Sequence, residues 1–203
     1  NSFSINYSKR INRPSFHSLN PFRWYDNPYS YAEGNPFLQP SYSHNVEFGF
    51  THNQNLENKF YYSKTENGYS QLTTLDENTN IQATKYANFF NTEIFGISES
   101  YTFDKIKWWE SVNSLDLSYN KSTSKVSITN QNREGFNSYF STNNTFNLNS
   151  KKTIILNLNF WLSPSGVDGL DKISASNQFD LAMKFFFLDK NLQLGIVAND
   201  IFS

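Results

Sequence analysis

Residues 7–50 read YSKRINRPSFHSLNPFRWYDNPYSYAEGNPFLQPSYSHNVEFGF. The lead-in places Ile5 and Tyr7 on one side of an extended chain, and the stretch closes with Val46, Phe48 and Phe50 alternating against Glu47, Gly49 and Thr51. Period-2 alternation of this kind marks a strand with one apolar and one polar face. Between the two strands lie Pro14, Pro21, Pro28, Pro36 and Pro40. Each proline fixes its own φ and biases the preceding residue towards extended geometry. The expected element is two antiparallel strands joined by a long, ordered, aromatic-rich loop from Arg13 to Pro40.

Working outward, the same alternation recurs. It predicts about nine strands, with apolar faces carried by Phe3, Ile5 and Tyr7, and by Val46, Phe48 and Phe50. Further strands are expected near Leu56–Lys64, Ile94–Phe103, Trp109–Asn120 and Phe136–Leu148. The cleanest sets Ile154, Leu156, Leu158, Phe160 and Leu162 against Asn157 and Asn159. The last two carry Phe179, Leu181, Met183, Phe185 and Phe187, then Leu192, Leu194 and Ile196. Short turns at Asn53–Asn55, Asp104–Lys105, Asn149–Lys151 and Asp189–Asn191 alternate with long connections. Those connections are expected near Ile11–Tyr42, Thr65–Asn88, Lys121–Gly135 and Pro164–Asn177. In an up-and-down meander, all short turns then fall on one rim and all long loops on the other, the asymmetry of an outer-membrane β-barrel. Several strands sustain alternation for about ten residues, enough to cross a bilayer when tilted. Soluble strands usually run about five or six.

Composition agrees with this reading. Of 203 residues only 37% are hydrophobic, yet 18% are aromatic, with 20 Phe, 12 Tyr and 4 Trp. Disordered chains lack such aromatic content, whereas a barrel hides its apolar residues because only every second one meets lipid. A net charge of −1 gives no basic field for nucleic acid. The absence of Cys excludes disulfide frameworks, thiolate metal sites and thiol catalysis. No apolar run is long enough for a transmembrane helix.

The segments Tyr7-Ser8-Lys9-Arg10, Arg13-Pro14-Ser15-Phe16, Leu19-Asn20-Pro21-Phe22 and Gly34-Asn35-Pro36-Phe37-Leu38-Gln39-Pro40 resemble the barrel signature of TonB-dependent outer-membrane receptors. More narrowly they resemble the outer-membrane beta-barrel family within that group; the likeness is thinner over the other hairpins. It implies a larger barrel of about 22 strands closed around an N-terminal plug. It also implies import driven by TonB through that plug, a place in the cell outer membrane, and a surface lipoprotein as a further partner. Asn1 starts inside a strand and no closing element follows Asp200-Ile201-Phe202. The expectation is therefore an interior fragment, with residues 1–203 a partial barrel domain whose plug and closing strands lie outside it.

Candidate site residues follow from the loop. Arg23, Trp24, Tyr25, Asp26, Tyr29 and Tyr31 offer stacking faces and one charge of each sign for an outer ligand such as a sugar, peptide or chelated metal. The alternative is that the same aromatics only pack the loop into a fixed shape. Trp108 and Trp109, next to Lys105 and Lys107, fit an aromatic girdle at the periplasmic interface, with a buried core as the alternative. Glu47, Asn157, Asn159, Asp180 and Lys184 are expected to face the lumen, lining a hydrated channel or meeting a plug, and Trp161 falls on that same side. Glu99 and Asn144 sit awkwardly on apolar faces, which a bulge would relieve.

His17, His44 and His52 have no metal-ligand spacing, and Asp168-Gly169-Leu170-Asp171 lacks the full calcium-loop pattern. No nucleophile, phosphate-loop or dinucleotide motif occurs, so neither catalysis nor a cofactor is expected. The fold class is all-β, an antiparallel up-and-down transmembrane barrel segment. Two other functions stay open: a passive outer-membrane pore, and a soluble extracellular glycan-binding module with strands of ordinary length.

Overall fold

The computed structural model describes residues 1–127, 129 and 132–202. Nine strands form one antiparallel path: β1 (Ser2–Asn12), β4 (Ser41–His52), β5 (Leu56–Asp76), β6 (Ile81–Ile106), β7 (Trp109–Ser124), β8 (Asn132–Asn147), β9 (Ile154–Ser163), β12 (Ser176–Phe187) and β13 (Leu192–Ala198). All nine strands expected from alternation are present, in the expected order. Four short strands lie in the connections. They are β2 (Arg23–Asn27) and β3 (Ser30–Glu33) in the first loop, and β10 (Gly166–Asp168) and β11 (Asp171–Ile173) in the last. The one helix among the described residues, α1 (Phe16–Leu19), is far too short to cross a membrane.

Register carries the two-faced pattern across the sheet, because directly paired residues point the same way. One row runs Ile5, Phe48, Phe60, Ile97, Leu117. On the later strands Leu156, Leu158 and Phe160 pair with Met183, Leu181 and Phe179. The opposite face carries Glu47, Tyr61, Gly96, Ser118 and Asn137 in one such row, and Asn159 beside Asp180 in another. The apolar face has no protein over it. Only Leu38, Ala83, Phe89 and Val167 are buried hydrophobics among the described residues, while Phe3, Ile5 and Phe136 are 70%, 77% and 77% exposed. An apolar face this continuous requires an apolar solvent. From Trp109 to Tyr119 β7 rises about 3.4 Å per residue. At a tilt of about 40° that gives a band roughly 25 Å tall, the height of a barrel's lipid-facing belt.

The polar face is hydrogen-bonded within itself. Tyr61 crosses over Gly96, where any Cβ would fall 2.2 Å from its ring, and its hydroxyl donates to Asp116 at 3.0 Å. Glu47 meets Lys59 at 3.8 Å, and Gln178 donates to Asp180 at 2.9 Å. Trp161 lies on this face, stacked on Tyr139 at 6.2 Å with its indole N–H donating to Gln178.

Two expected loops are corrected. The segment Thr65–Asn88 is not a loop, because β5 continues to Asp76 and β6 begins at Ile81. Here each face mixes polar and apolar residues, with Leu72, Ile81 and Ala83 on one and Tyr69, Leu75 and Tyr86 on the other, so the ladder carries no apolar alternation; it is held by backbone pairing and by pairs such as Thr73–Thr84 (Oγ–Oγ 2.9 Å). The connection after Lys121 also shortens, since β7 runs on to Ser124 and β8 starts at Asn132. Strands of 21 and 26 residues in β5 and β6 do not fit the ordinary strand length of the soluble-module alternative.

The awkward residues keep their faces. Pairing is unbroken from Thr92 to Phe103, so Glu99 remains on the apolar side with Asn58 and Leu115 beside it. No bulge intervenes there. Asn144 also stays on that side but is satisfied. Its Oδ1 accepts the Trp109 indole N–H at 3.0 Å, and its Nδ2 donates to Thr142 Oγ1 at 2.9 Å.

Candidate outer-loop site

The loop between β1 and β4 is built on a repeated local device. Asn20-Pro21-Phe22, Asn27-Pro28-Tyr29 and Asn35-Pro36-Phe37 share one arrangement. In each, the Asn Oδ1 accepts the backbone N–H two residues on, at 3.1, 2.8 and 2.9 Å. These Asx turns satisfy the backbone locally while proline holds φ. Each turn presents an aromatic side chain, and Phe22, Tyr29 and Phe37 are 75%, 65% and 82% exposed. Ser15 caps α1 by accepting from Ser18 N–H at 3.2 Å. Gly34 passes so close to Asn20 that a Cβ would lie 2.4 Å from its carbonyl oxygen.

The loop is docked rather than loose. Strands β2 and β3 form a hairpin, and β3 pairs in parallel with β6, Ser30 opposite Gln82 through Glu33 opposite Lys85. Strand β7 leaves that edge of β6 vacant, because its pairing ends with Ser124 against Phe90. The loop fills it. Asn88 clamps the descending arm, accepting from Gln39 N–H at 2.8 Å and donating to Gln39 O at 2.9 Å. At the rim Asn67 adopts φ 57° beside an irregularity in the β5–β6 register and donates to Pro40 O at 3.1 Å. Bulges gather at barrel rims, where they re-aim a strand.

The charges concentrate on Glu33. Its carboxylate accepts from Arg23 Nε at 2.8 Å and pairs with the Lys85 ammonium. Arg23 lies over the Tyr31 ring at 4.5 Å from its centroid. The Lys85 hydrogen bond, with that of Arg23, holds the Glu33 carboxyl below the usual carboxylate range. Reciprocally, Glu33 raises Lys85 above the usual lysine value.

Of the six loop residues singled out from the sequence, Arg23, Tyr25 and Tyr31 come together, with Tyr25 and Tyr31 rings 5.6 Å apart. Trp24 packs against His17 at 4.8 Å. Tyr29 stands clear at its turn, and Asp26 is exposed on β2. Sequence reasoning missed Glu33 and Lys85, and also Phe16, Phe22 and Phe37, all strongly exposed. The thrice-repeated Asn-Pro-aromatic unit was the available signal for two of them. The assembly can stack planar or sugar-like groups on rings and meet charge of either sign. It has no nucleophile–base pair.

At the other rim Trp108 is exposed at the β6–β7 turn, and Trp109 stacks parallel to Phe146 (6.0 Å, 10° between planes) on the apolar face. The last long loop folds over the polar face, where the Val167 carbonyl accepts from Asn120 and Asn137 at 3.1 and 2.7 Å. Among the described residues no cluster of His, Asp and Glu is arranged to hold a metal ion.

Comparison with known proteins adds three findings. The model of the "Outer membrane protein beta-barrel family" matches residues 1–203. No curated protein sequence matches the chain. Among solved structures it is similar to a variant of the ferric enterobactin receptor PfeA of Pseudomonas aeruginosa in complex with enterobactin. That match has TM-score 0.68 and 15% identity, covering 98% of this chain and 33% of that one. It is also similar to the outer membrane transporter YddB of Escherichia coli, with TM-score 0.51 and 13% identity, covering 81% and 29% respectively. The chain thus spans about a third of the length of those proteins.

Proposed function

The chain belongs to the outer membrane protein beta-barrel family, and on that premise we propose that it forms barrel wall and outward loops of a TonB-dependent receptor importing a nutrient-type ligand. Its place is the cell outer membrane, with the apolar face against outer-membrane lipid. In this reading residues 1–203 are a partial barrel domain of a larger receptor. A plug outside this chain fills the lumen against the polar face and connects to TonB, and a surface lipoprotein is a further partner.

The observation that carries the proposal is the docked, aromatic-rich outer loop. A loop that served only to join two strands would not need three Asx turns that each project an exposed ring. Pre-organised aromatic faces lose little entropy on binding. In this reading Trp24, Tyr25, Tyr29 and Tyr31 supply stacking surfaces, while Arg23 and Asp26 supply charge. Trp108 and Trp109 act as the periplasmic girdle, with their rings at headgroup level. The wall's own task is passive, since a closed barrel pairs every backbone group in lipid.

The test is uptake by cells expressing the full-length receptor, with and without TonB, across panels of glycans, peptides and chelated metals. A ligand whose uptake needs TonB and falls at least tenfold in a Trp24→Ala/Tyr29→Ala variant supports the reading. Uptake indifferent to TonB identifies a passive pore instead.

A further inference from the structure

The outer loop ends the sheet at the barrel mouth on an open edge. Strand β2 pairs with β3 alone, and all five of its residues are exposed. Among the described residues no hydrogen bond reaches the main chain of Arg23–Asn27 from its other side. Strands β1 and β13 also end the sheet, but in the reading above the wall of a larger barrel continues from them. Strand β2 lies in a loop and has no such continuation. Edges of this kind are commonly blunted by a covering element, by Lys or Pro within the strand, or by a bulge. Here Pro21 and Pro28 stand outside the strand, where the Asn20 and Asn27 Asx turns hold its two ends. The register shift falls after Tyr25 and leaves Arg23–Tyr25 regularly paired. Main chain held extended with one side unpaired is a template for a further strand.

Register says what that strand should carry. One row runs Lys85, Glu33, Arg23 across β6, β3 and β2, so the charges alternate and two cations share one carboxylate. Arg23 gives its Nε to Glu33 and keeps half of its side chain exposed. The neighbouring row, two residues along, is Ala83, Tyr31, Tyr25, and it ends on an exposed ring. Trp24 points the other way, onto His17 of α1, so the helix lies behind the hairpin and Arg23 and Tyr25 share its open face. A strand added beside β2 would continue both rows. It would set an acidic residue against Arg23 and, two positions away, an aromatic one against Tyr25.

We infer that β2 takes up an extended peptide by strand addition, its main chain along Arg23–Asn27, its carboxylate on Arg23 and its ring on Tyr25. The inference rests on the outer-loop reading above and narrows the ligand of that loop to a peptide. Main-chain pairing supplies the affinity, and the two side-chain rows supply the preference for an acidic and an aromatic residue two positions apart.

Calorimetric titration of the full-length receptor in detergent tests this with the capped peptide Thr-Glu-Val-Tyr-Val-Glu-Thr. The peptide reads the same in both directions, so it serves parallel and antiparallel addition alike. Saturable binding is expected, weakened about tenfold when both Glu are replaced by Gln. Two further peptides carry N-methyl groups, one on the Glu and Tyr nitrogens, the other on the Val nitrogens. Only alternate N–H groups face a neighbouring strand, so one of these should lose binding at least tenfold and the other keep it. In Arg23→Gln the Glu and Gln peptides should bind equally. Absence of binding to the unmodified receptor overturns the inference, the edge then being closed by another segment of the receptor. So does equal binding of the two methylated peptides, which would mean that side chains alone hold the ligand. A Glu preference that persists in an Arg23→Gln receptor still migrating as a folded barrel overturns it as well. Binding is measured without TonB, so failure of the uptake reading and failure of this one are told apart.

Discussion

Glu99 sits on the membrane-facing side two residues from Ile97 and two from Tyr101, with unbroken pairing on both flanks. A carboxylate on a barrel's lipid face is destabilising in proportion to depth, though less so than Arg or Lys. Glu99→Leu is expected to stabilise the barrel by about 1 kcal/mol. The check is the urea midpoint of the detergent-refolded protein, and an unchanged midpoint would mean that the carboxylate has found a partner in the full assembly. Asn144 predicts the opposite. Asn144→Ala leaves the Trp109 indole N–H without its acceptor and should cost about 1–2 kcal/mol. The same unfolding series reads it, together with a shifted Trp109 emission. Alternation left the facing of both residues open, because a bulge would have turned either one; the register decides it. What rescues Asn144 was not legible either, because Trp109 and Thr142 reach it across and along strands.

Strands β5 and β6 show where sequence reading stops. Inside the belt one face must be apolar, so alternation announces Leu56–Lys64 and Ile94–Phe103. Above it water bathes both faces, and Thr65–Asp76 with Ile81–Asn88 loses the pattern while keeping the ladder. The outer strands are anchored by Glu33, which joins Arg23 on β2 to Lys85 on β6. Because Glu33 is held below the usual carboxylate range, its contribution is complete above about pH 4.3 and is lost as pH falls through the lowered value. Lys85 is raised, so its contribution is complete below about pH 10.4 and fades as pH rises through its folded value. Amide protection at Tyr31–Glu33 should therefore stay level across neutral pH and fall in acid. Glu33→Gln should show the lower level throughout; an acid fall that persists in that variant would place the switch elsewhere.

At the scale of the whole molecule, the two-faced wall makes a single positional forecast. Spin labels on cysteines at Ile154, Leu156, Leu158 and Phe160 of the full-length protein in nanodiscs should meet a lipid-soluble quencher. Labels at Asn157 and Asn159 should not. Residues 1–203 contain no native Cys to compete for the label. Loss of that alternation would remove the membrane wall altogether. The parallel pairing of β3 with β6 also imposes a sequence of events. Ser30 and Gln82 are about fifty residues apart, and β6 offers its edge only where β7 has ended. The mouth loop cannot be tied down until β6 is in place beside β5, three wall strands after the one that leads into it. Docking of this loop therefore depends on β6 being in place, and a chain whose β6 had not yet joined β5 would carry an untied loop at its rim.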